Sequence, residues 1–545
     1  MLNTLDTQVD IAAPLALADA IPSNCGVLTR CPPEDLLSDL VEASEAVTIR
    51  LNEADNVVVA ARRISAGTAI ARERVTTLQA IPPGHKLATR FIAKGEAIRK
   101  YGQVIGEATA DIEPGSHVHT QNTIVSTLRA AVGSRQTYRP NEQPRSFMGY
   151  RRANGKVGTR NYIGVLTSVN CSATVARFIA EAAEKSGLLD AYSNIDGIVP
   201  ITHNTGCGMA NSGEPFDMLS RTLWGTAANP NFGAVLLVGL GCEMMQIGRF
   251  KEIYGIAEGP SFQSFTIQET GGTKKAIAEG LSRLTEMLPQ INRATRSEQP
   301  ASEIVLGLQC GGSDAWSGVT ANPALGNAAD RLAALGGTAI LSETPEIYGA
   351  EHLLIARAAS PEVAEKLLQR IRWWEHYTEI HGMEMNNNPS PGNKAGGLTT
   401  ILEKSLGAVA KGGTSVLNDV VEYGKALQTR GLVFMDSPGF DPCSATGQVA
   451  SGANLIAFTT GRGSAFGCKP VPSIKIATNS TVYQRMTGDM DLDCGTIATG
   501  EATVEEKGAE ILDYLLEVAS GRKSKSEELG YGGLEFVPWQ IGAVM

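Results

Sequence analysis

From Gly149 to the carboxyl end, short apolar runs alternate with amphipathic stretches, and loops rich in glycine and other small residues separate them. This switching of periodicity constrains the fold more than any other feature. Tyr162 to Val169, Gly187 to Ile201, Gly233 to Gly239 and Ile304 to Leu308 are predicted strands, and Ala173 to Lys185, Lys275 to Leu288 and Pro361 to Tyr377 are predicted helices. The theme recurs at Leu432 to Met435, Leu455 to Thr459 and Ile474 to Ala477, before a helix over Val504 to Ala519. Strand, loop and helix in repetition predict an α/β fold with mostly parallel sheets and ligands at the carboxyl ends of the strands.

A chain of 545 residues exceeds one hydrophobic core. Residues 1–53 read as a polar, alanine-rich lead without chemistry, partly disordered and containing a Cys-Pro-Pro turn at 31–33. Residues 54–124, with short alternating runs broken by glycine, predict a small β-rich domain. Residues 125–147 are a proline-bearing linker, 148–300 a middle α/β domain ending in the polar stretch from Asn292 to Ser302, and 301–545 a second α/β domain. There is no short-period repeat.

A net charge of -10 leaves no basic face for a run of phosphates, which argues against nucleic acid as a partner. No apolar run reaches membrane-spanning length, and the first 19 residues lack the basic start of a secretory signal, so a cytoplasmic protein with no membrane partner is expected. Nine cysteines, thinly spread, do not resemble a disulfide framework; they read as free thiols or metal ligands. A homo-oligomer is compatible with all of this.

Four cysteines stand directly after apolar runs in loops of small residues: Cys171, Cys207, Cys242 and Cys310. One such cysteine is ordinarily a small core residue. Four in the same local context make a shared metal or cluster site a candidate, because strand ends of a parallel sheet converge on one edge. His203, four residues before Cys207, suits a base, an acid or a ligand, or a hydrogen-bonded loop histidine. In the β-rich module, His85 precedes Lys86, and His117 and His119 lie two apart, the spacing that puts both on one face of a strand. Two loops offer anion sites or simply turns. Asn388, Asn393 and Lys394 lie in the first, which leads into a helix; Arg462 lies in the second. The segment Gly239-Leu-Gly-Cys-Glu-Met begins like a dinucleotide fingerprint, but Met244 occupies the place of its last glycine.

These residues resemble the altronate and galactarate dehydratases. The similarity runs from about Asn56 to about Gly521. It is carried by Pro-Pro-Gly-His-Lys at 82–86, Lys-Tyr-Gly at 100–102, Val-Ile-Gly at 104–106, Tyr-Arg-Arg-Ala-Asn-Gly at 150–155 and Val-Gly-Thr-Arg-Asn at 157–161. Gly-Leu-Gly-Cys-Glu at 239–243, Cys-Gly-Gly-Ser-Asp at 310–314, Gly-Val-Thr-Ala-Asn-Pro at 318–323, Asn-Pro-Ser-Pro-Gly-Asn-Lys at 388–394 and Phe-Thr-Thr-Gly-Arg-Gly at 458–463 extend it. The resemblance implies an amino-terminal SAF-type domain, two α/β domains and iron-dependent loss of water from a sugar acid. The segments at 115–122 and 345–351 look like the altronate branch; those at 309–315 and 318–323 are closer to the galactarate branch, and 467–473 matches neither.

The expected reaction is D-altronate to 2-dehydro-3-deoxy-D-gluconate, with galactarate to 5-dehydro-4-deoxy-D-glucarate as the alternative. A Lewis acid would stabilise the enolate-like charge and ease departure of the C3 hydroxyl, while a histidine or lysine removes the C2 proton. His85, Lys86 and His203 are the expected acid–base groups. His117, His119, Asn388, Asn393, Lys394 and Arg462 are the expected substrate contacts, with the two histidines equally suited to a metal. Iron is expected as a ferrous ion or as a cluster on Cys171, Cys207, Cys242 and Cys310, since thiolates suit clusters and histidine suits a mononuclear site. Two rivals remain at this point: a non-catalytic carbohydrate-binding protein built on the same β-rich module, and a nucleotide-dependent oxidoreductase, which Met244 opposes.

Overall fold

The strand Val57–Ala60 is buried along its whole length and lies between Thr48–Ile49 and Lys86–Ala88, all antiparallel, with His117–Val118 completing a four-stranded sheet. The computed structural model describes residues 47–125, 142–542 and 544, all within one compact unit. Most of the lead, with its Cys-Pro-Pro turn, and residues 126–141 of the linker lie outside the described residues. The lead was expected to run to residue 53, but Thr48–Ile49 already pairs with Val59 and Ala60, and Arg50 forms an ion pair with Glu73. The β-rich domain therefore starts earlier than its first long apolar run.

The linker's end is also structured. Ser146–Arg151 pairs antiparallel with Ser297–Pro300 and Val157–Gly158. The polar stretch after Asn292 thus returns beside the start of the middle domain and fastens its two ends together before the chain moves on.

The middle domain is a four-stranded parallel sheet in the order Gly197–Ile201, Tyr162–Thr167, Phe232–Gly239, Phe262–Thr266. Helices Ala173–Lys185 and Thr273–Ile291 bury one face, Glu214–Ala227 and Ile247–Tyr254 the other. The predicted strand over 187–201 holds only in its last five residues. Leu188, Leu189 and Tyr192 instead pad the helix-covered core from a turn, so apolar content there misled the strand reading.

The carboxyl-terminal domain is a seven-stranded parallel sheet in the order Leu417–Val421, Gly431–Met435, Thr338–Leu341, Val305–Cys310, Leu455–Thr460, Ser473–Ala477, Leu492–Asp493. Its central strands are buried on both faces, which explains their mostly apolar sequences, Lys475 being the buried charged exception. In both sheets the chain winds away in opposite directions from two adjacent strands. These switch points fall between Tyr162–Thr167 and Phe232–Gly239, and between Val305–Cys310 and Leu455–Thr460, where ligand crevices of such sheets lie. Helices Glu214–Ala227 and Asp441–Ser451 join the two domains side by side: Met218 shares a cluster with Cys443, and Gly225 lies against Ala450. The helices run parallel, so both carboxyl edges open toward the same side. Among the described residues no helix is long and apolar enough to cross a membrane.

Candidate active site

The β-rich domain brings its three histidines together. Leu87 pairs with His117, and the same register continued sets His85 opposite His119. The His85 Nδ1 lies 2.9 Å from His117 Nε2, the three ring centroids are 4.9 to 5.4 Å apart, and one nitrogen from each ring fits within a 4.8 Å sphere of separation. Burial, with the neighbouring Lys86 and histidine charges, pushes His117 and His119 down to about 4, and burial lowers His85 as well. The trio is neutral at pH 7, and His119 Nδ1 is buried without a hydrogen-bond partner. Neutral imidazoles with an orphaned nitrogen form a donor set that fits a divalent metal.

The trio faces the carboxyl-terminal domain. Gly84, at φ +78°, admits no side chain: a Cβ would stand 3.0 Å from Trp316 Nε1. That close approach lets the 82–86 turn rest on the loop after Val305–Cys310, while the Ala395 carbonyl accepts a hydrogen bond from the His85 ring. Lys86 is fully buried here, its ammonium donating to Gly397 O at 2.8 Å and to both Glu403 oxygens at 2.9 and 3.0 Å. Lys100 donates to Glu403 at 3.0 Å, and Thr399 adds its N–H and hydroxyl. Burial alone would raise Glu403, but Lys86 and Lys100 overcome it and hold the carboxyl far below its usual range. Burial pushes Lys86 down to about 8. With its protons committed to these acceptors, Lys86 is a strut joining two domains rather than a free acid–base group.

The carboxyl edge of the seven-stranded sheet carries charges that spacing did not reveal. Cys310, at the end of its strand, receives a hydrogen bond from Lys411 at 2.8 Å and donates to Glu346 at 3.3 Å. Lys404 pairs with Glu346 at 2.6 Å, and Lys411 lies 3.6 Å from Glu343. Burial pushes the Cys310 thiol up to about 12 against the lowering by Lys411, and its sulfur lies within 4.8 Å of carboxylate oxygens of Glu343 and Glu346. Glu343 is the exceptional residue: it adopts φ +72° without being glycine, is wholly buried, and neither of its carboxyl oxygens finds a hydrogen bond. Burial and Glu346 raise its pKa well above the carboxylate range, and the same two causes push Asp441 up to about 7. Asp441 reaches Gly311 from the start of its helix and is half-buried, at the mouth of this cluster.

Two loops flank that mouth. Asn388 accepts a hydrogen bond from Lys404 at 2.7 Å. Asn393 is spent on structure, capping the short helix Pro391–Ala395 and donating to Ser313 O at 2.8 Å. Neither the Lys394 ammonium nor the Arg462 guanidinium bonds to another described residue, and Arg462 Cβ lies 3.3 Å from the place a Gly312 Cβ would take. These are uncommitted cations beside the switch point.

The remaining candidates sit on the middle domain. His203 is buried, its Nε2 donating to Thr167 O at 2.9 Å and its Nδ1 accepting from Thr205 N at 3.3 Å. With both nitrogens used by backbone it is a loop-holding histidine, and burial pushes it down to about 4. Cys171, Cys207 and Cys242 are exposed at this sheet's edge, apart from the buried Cys310. The four cysteines therefore do not form one set.

Family models cover nearly all of the described chain. The model for the altronate/galactarate dehydratase SAF domain matches residues 46–126, that for the D-galactarate dehydratase/altronate hydrolase second domain matches 149–292, and that for the D-galactarate/altronate dehydratase carboxyl-terminal domain matches 301–544. The chain belongs to this family of hydro-lyases. Within the family, galactarate dehydratase (L-threo-forming) of Escherichia coli K12 is 39% identical over 497 residues, 88% of this chain and 94% of the relative. Altronate dehydratase of Bacillus subtilis is 35% identical over 492 residues, 88% and 96% of the two chains. The beta subunit of (2R)-sulfolactate sulfo-lyase from Chromohalobacter salexigens is 33% identical over 391 residues, 71% of this chain and 96% of the relative. Sequence reasoning had found the histidines and the loops. It assigned no role to Lys100, Glu343, Glu346, Glu403, Lys404, Lys411 and Asp441; Lys-Tyr-Gly at 100–102 and Pro-Glu-Ile-Tyr at 345–348 entered only as marks of the family resemblance, and Glu-Lys-Ser at 403–405 carries no short-range signal.

Proposed function

We propose that this protein removes water from a six-carbon sugar acid, with D-altronate as first substrate, in the cytoplasm and with ferrous iron held by His85, His117 and His119. One observation carries the reading: a neutral histidine trio with an orphaned nitrogen is pressed against the switch-point loops of a parallel sheet, beside two uncommitted cations. Iron bound there would act as a Lewis acid toward the substrate's carboxylate and hydroxyls. Lys394 and Arg462 bind and orient carboxylate oxygen, Arg462 with the bidentate geometry of its guanidinium. Burial and Glu346 raise both Asp441 and Glu343, so this group of carboxyls retains a proton that free carboxyls would lose. It gives that proton to the departing C3 hydroxide and regains one from C2, so one water leaves in total. The enol that results becomes the 2-keto-3-deoxy acid. Trp316 and the 82–86 turn close one side of the site against water.

Galactarate is the second reading, favoured by the 39% identical relative and by two free cations, which suit a dicarboxylate. The test is an anaerobic assay with ferrous iron, measuring 2-keto acid from altronate, galactarate and their epimers. Turnover of altronate above the others supports the first reading, preference for galactarate replaces it with the second, and no keto acid from any sugar acid overturns both.

A further inference from the structure

We infer that the middle domain holds a four-iron iron–sulfur cluster on Cys171, Cys207 and Cys242, with one iron left free of protein ligands. This goes beyond the histidine site and is independent of the substrate assigned above.

The three thiols come from three different strand-end loops, and those loops are tied to one another. Asn170 N donates to Thr205 O at 2.9 Å, which sets Cys171 beside the loop of Cys207. Gly206 O accepts from Met244 N at 3.0 Å and from Met245 N at 3.3 Å, which joins that loop to Cys242. Gly206, at φ +98°, lies so near Ser168 that a Cβ would stand 2.3 Å from its carbonyl oxygen; no other residue permits the approach. Glu243 is buried and accepts from Ser168 Oγ at 2.6 Å and from Gly241 N at 2.6 Å, locking the turn that carries Cys242 to the strand that carries Cys171. Every pair of loops is bonded, so three thiols stand on one rigid edge.

Their environment separates them from the other cysteines. Of the seven described, these three are exposed, while Cys310, Cys443, Cys468 and Cys494 are buried. Among the described residues, the Cys171 and Cys207 thiols make no hydrogen bond, and Cys242 receives one weak bond from the Gln268 amide at 3.5 Å. Each precedes a helix: Ala173–Lys185, Glu214–Ala227 and Ile247–Tyr254 begin just after the three loops.

Geometry also selects the kind of ligand. Thiolates around one ion bonded at about 2.3 Å sit about 3.8 Å apart. The three sulfurs do not all lie within 4.8 Å of one another, unlike the histidine trio. A cluster spreads its thiolates more widely than a single ion does. A closed zinc site would need a fourth protein ligand. The nearest histidine in sequence, His203, has both nitrogens on backbone, and Cys310 is held by Lys411 and Glu346 on the other sheet. Among the described residues, three ligands and an open fourth position remain.

The experiment uses the full chain, purified anaerobically and also reconstituted with ferrous iron, sulfide and a thiol reductant. Expected are an absorbance band at about 400 nm with about four irons and four acid-labile sulfides per chain, beyond any histidine-held iron. C171S/C207S/C242S should lose the sulfide and the band, whereas C310S keeps both. Should the triple variant misfold, alkylation of the unmodified protein decides: the three thiols should be protected when loaded and become reactive after the cluster is stripped. Wild-type protein without acid-labile sulfide after reconstitution, a single bound zinc, or thiols equally reactive before and after stripping overturns the inference. These readouts need no turnover, so a failed substrate assignment leaves them intact.

Discussion

Two parallel sheets end on the same side of this molecule, and their carboxyl edges have opposite chemistry. The middle-domain edge presents three exposed thiols and spends its histidine on backbone. The carboxyl-terminal edge buries its cysteine among two lysines and three carboxyls, then receives the histidine trio from the β-rich domain. The fold alone therefore dictates where a ligand crevice lies, not what it does. What separates the edges is cover. A third domain lies on one and excludes water there, which raises carboxyl pKa values and keeps imidazoles neutral, while the other stays open to solvent.

The comparison breaks most severely at Glu403, which fastens that cover. Glu403→Ala leaves Lys86 and Lys100 buried without a counter-charge and should cost about 3–5 kcal/mol, with loss of turnover, read by denaturant unfolding and assay. Because its folded pKa lies below the unfolded value near 4.3, the carboxylate's contribution is complete above about pH 5 and is lost progressively as pH falls through about 4.3 and further. A variant whose unfolding curve matches the parent at pH 7 would show that the seam is held by something else.

His119→Ala should lower turnover by roughly 10² or more and reduce bound ferrous iron, while the middle-domain thiols keep theirs; equal iron content in both proteins would remove the histidine site. Asp441→Asn should lower turnover by about 10² and abolish the alkaline limb of the pH profile, where the parent's turnover falls as pH rises through about 7 and the donor proton is lost. Stability changes in the same direction. A raised carboxyl pKa makes the folded state bind more protons, so stability falls as pH rises from about 4 to about 7, and the neutral amide of D441N should raise Tm above that window. An unchanged limb would take Asp441 out of proton transfer.

Smaller effects belong to the loops. Lys394→Ala should raise KM about tenfold with Tm unchanged, the scale of one charge-assisted hydrogen bond. Arg462→Ala should do the same, and more strongly for galactarate than altronate if a second carboxylate is bound; equal effects on both acids would leave the dicarboxylate reading without support. Cys310→Ser should change turnover only a few-fold, since its thiol is buried and already bonded to Lys411 and Glu346, and a loss as large as that of His119→Ala would place it in the chemistry.

The sequence by itself determined the parallel sheets, because strands buried on both faces must be mostly apolar and the helices covering them must be amphipathic. It also marked the turn at 82–86, the His-Val-His pair and the strand-end cysteines, whose residue types are informative at short range. It did not determine which cysteines belong together, since Cys310 has the same local context as the other three and differs only in the sheet that carries it. Nor could it show that Lys86 is a strut, because its partner Glu403 lies 317 positions away. Glu343, Glu346, Lys404 and Lys411 had no assigned role for the same reason. A side chain's charge is local, but its burial, its partner and hence its pKa come from elements distant in the chain, and only tertiary packing brings those to it.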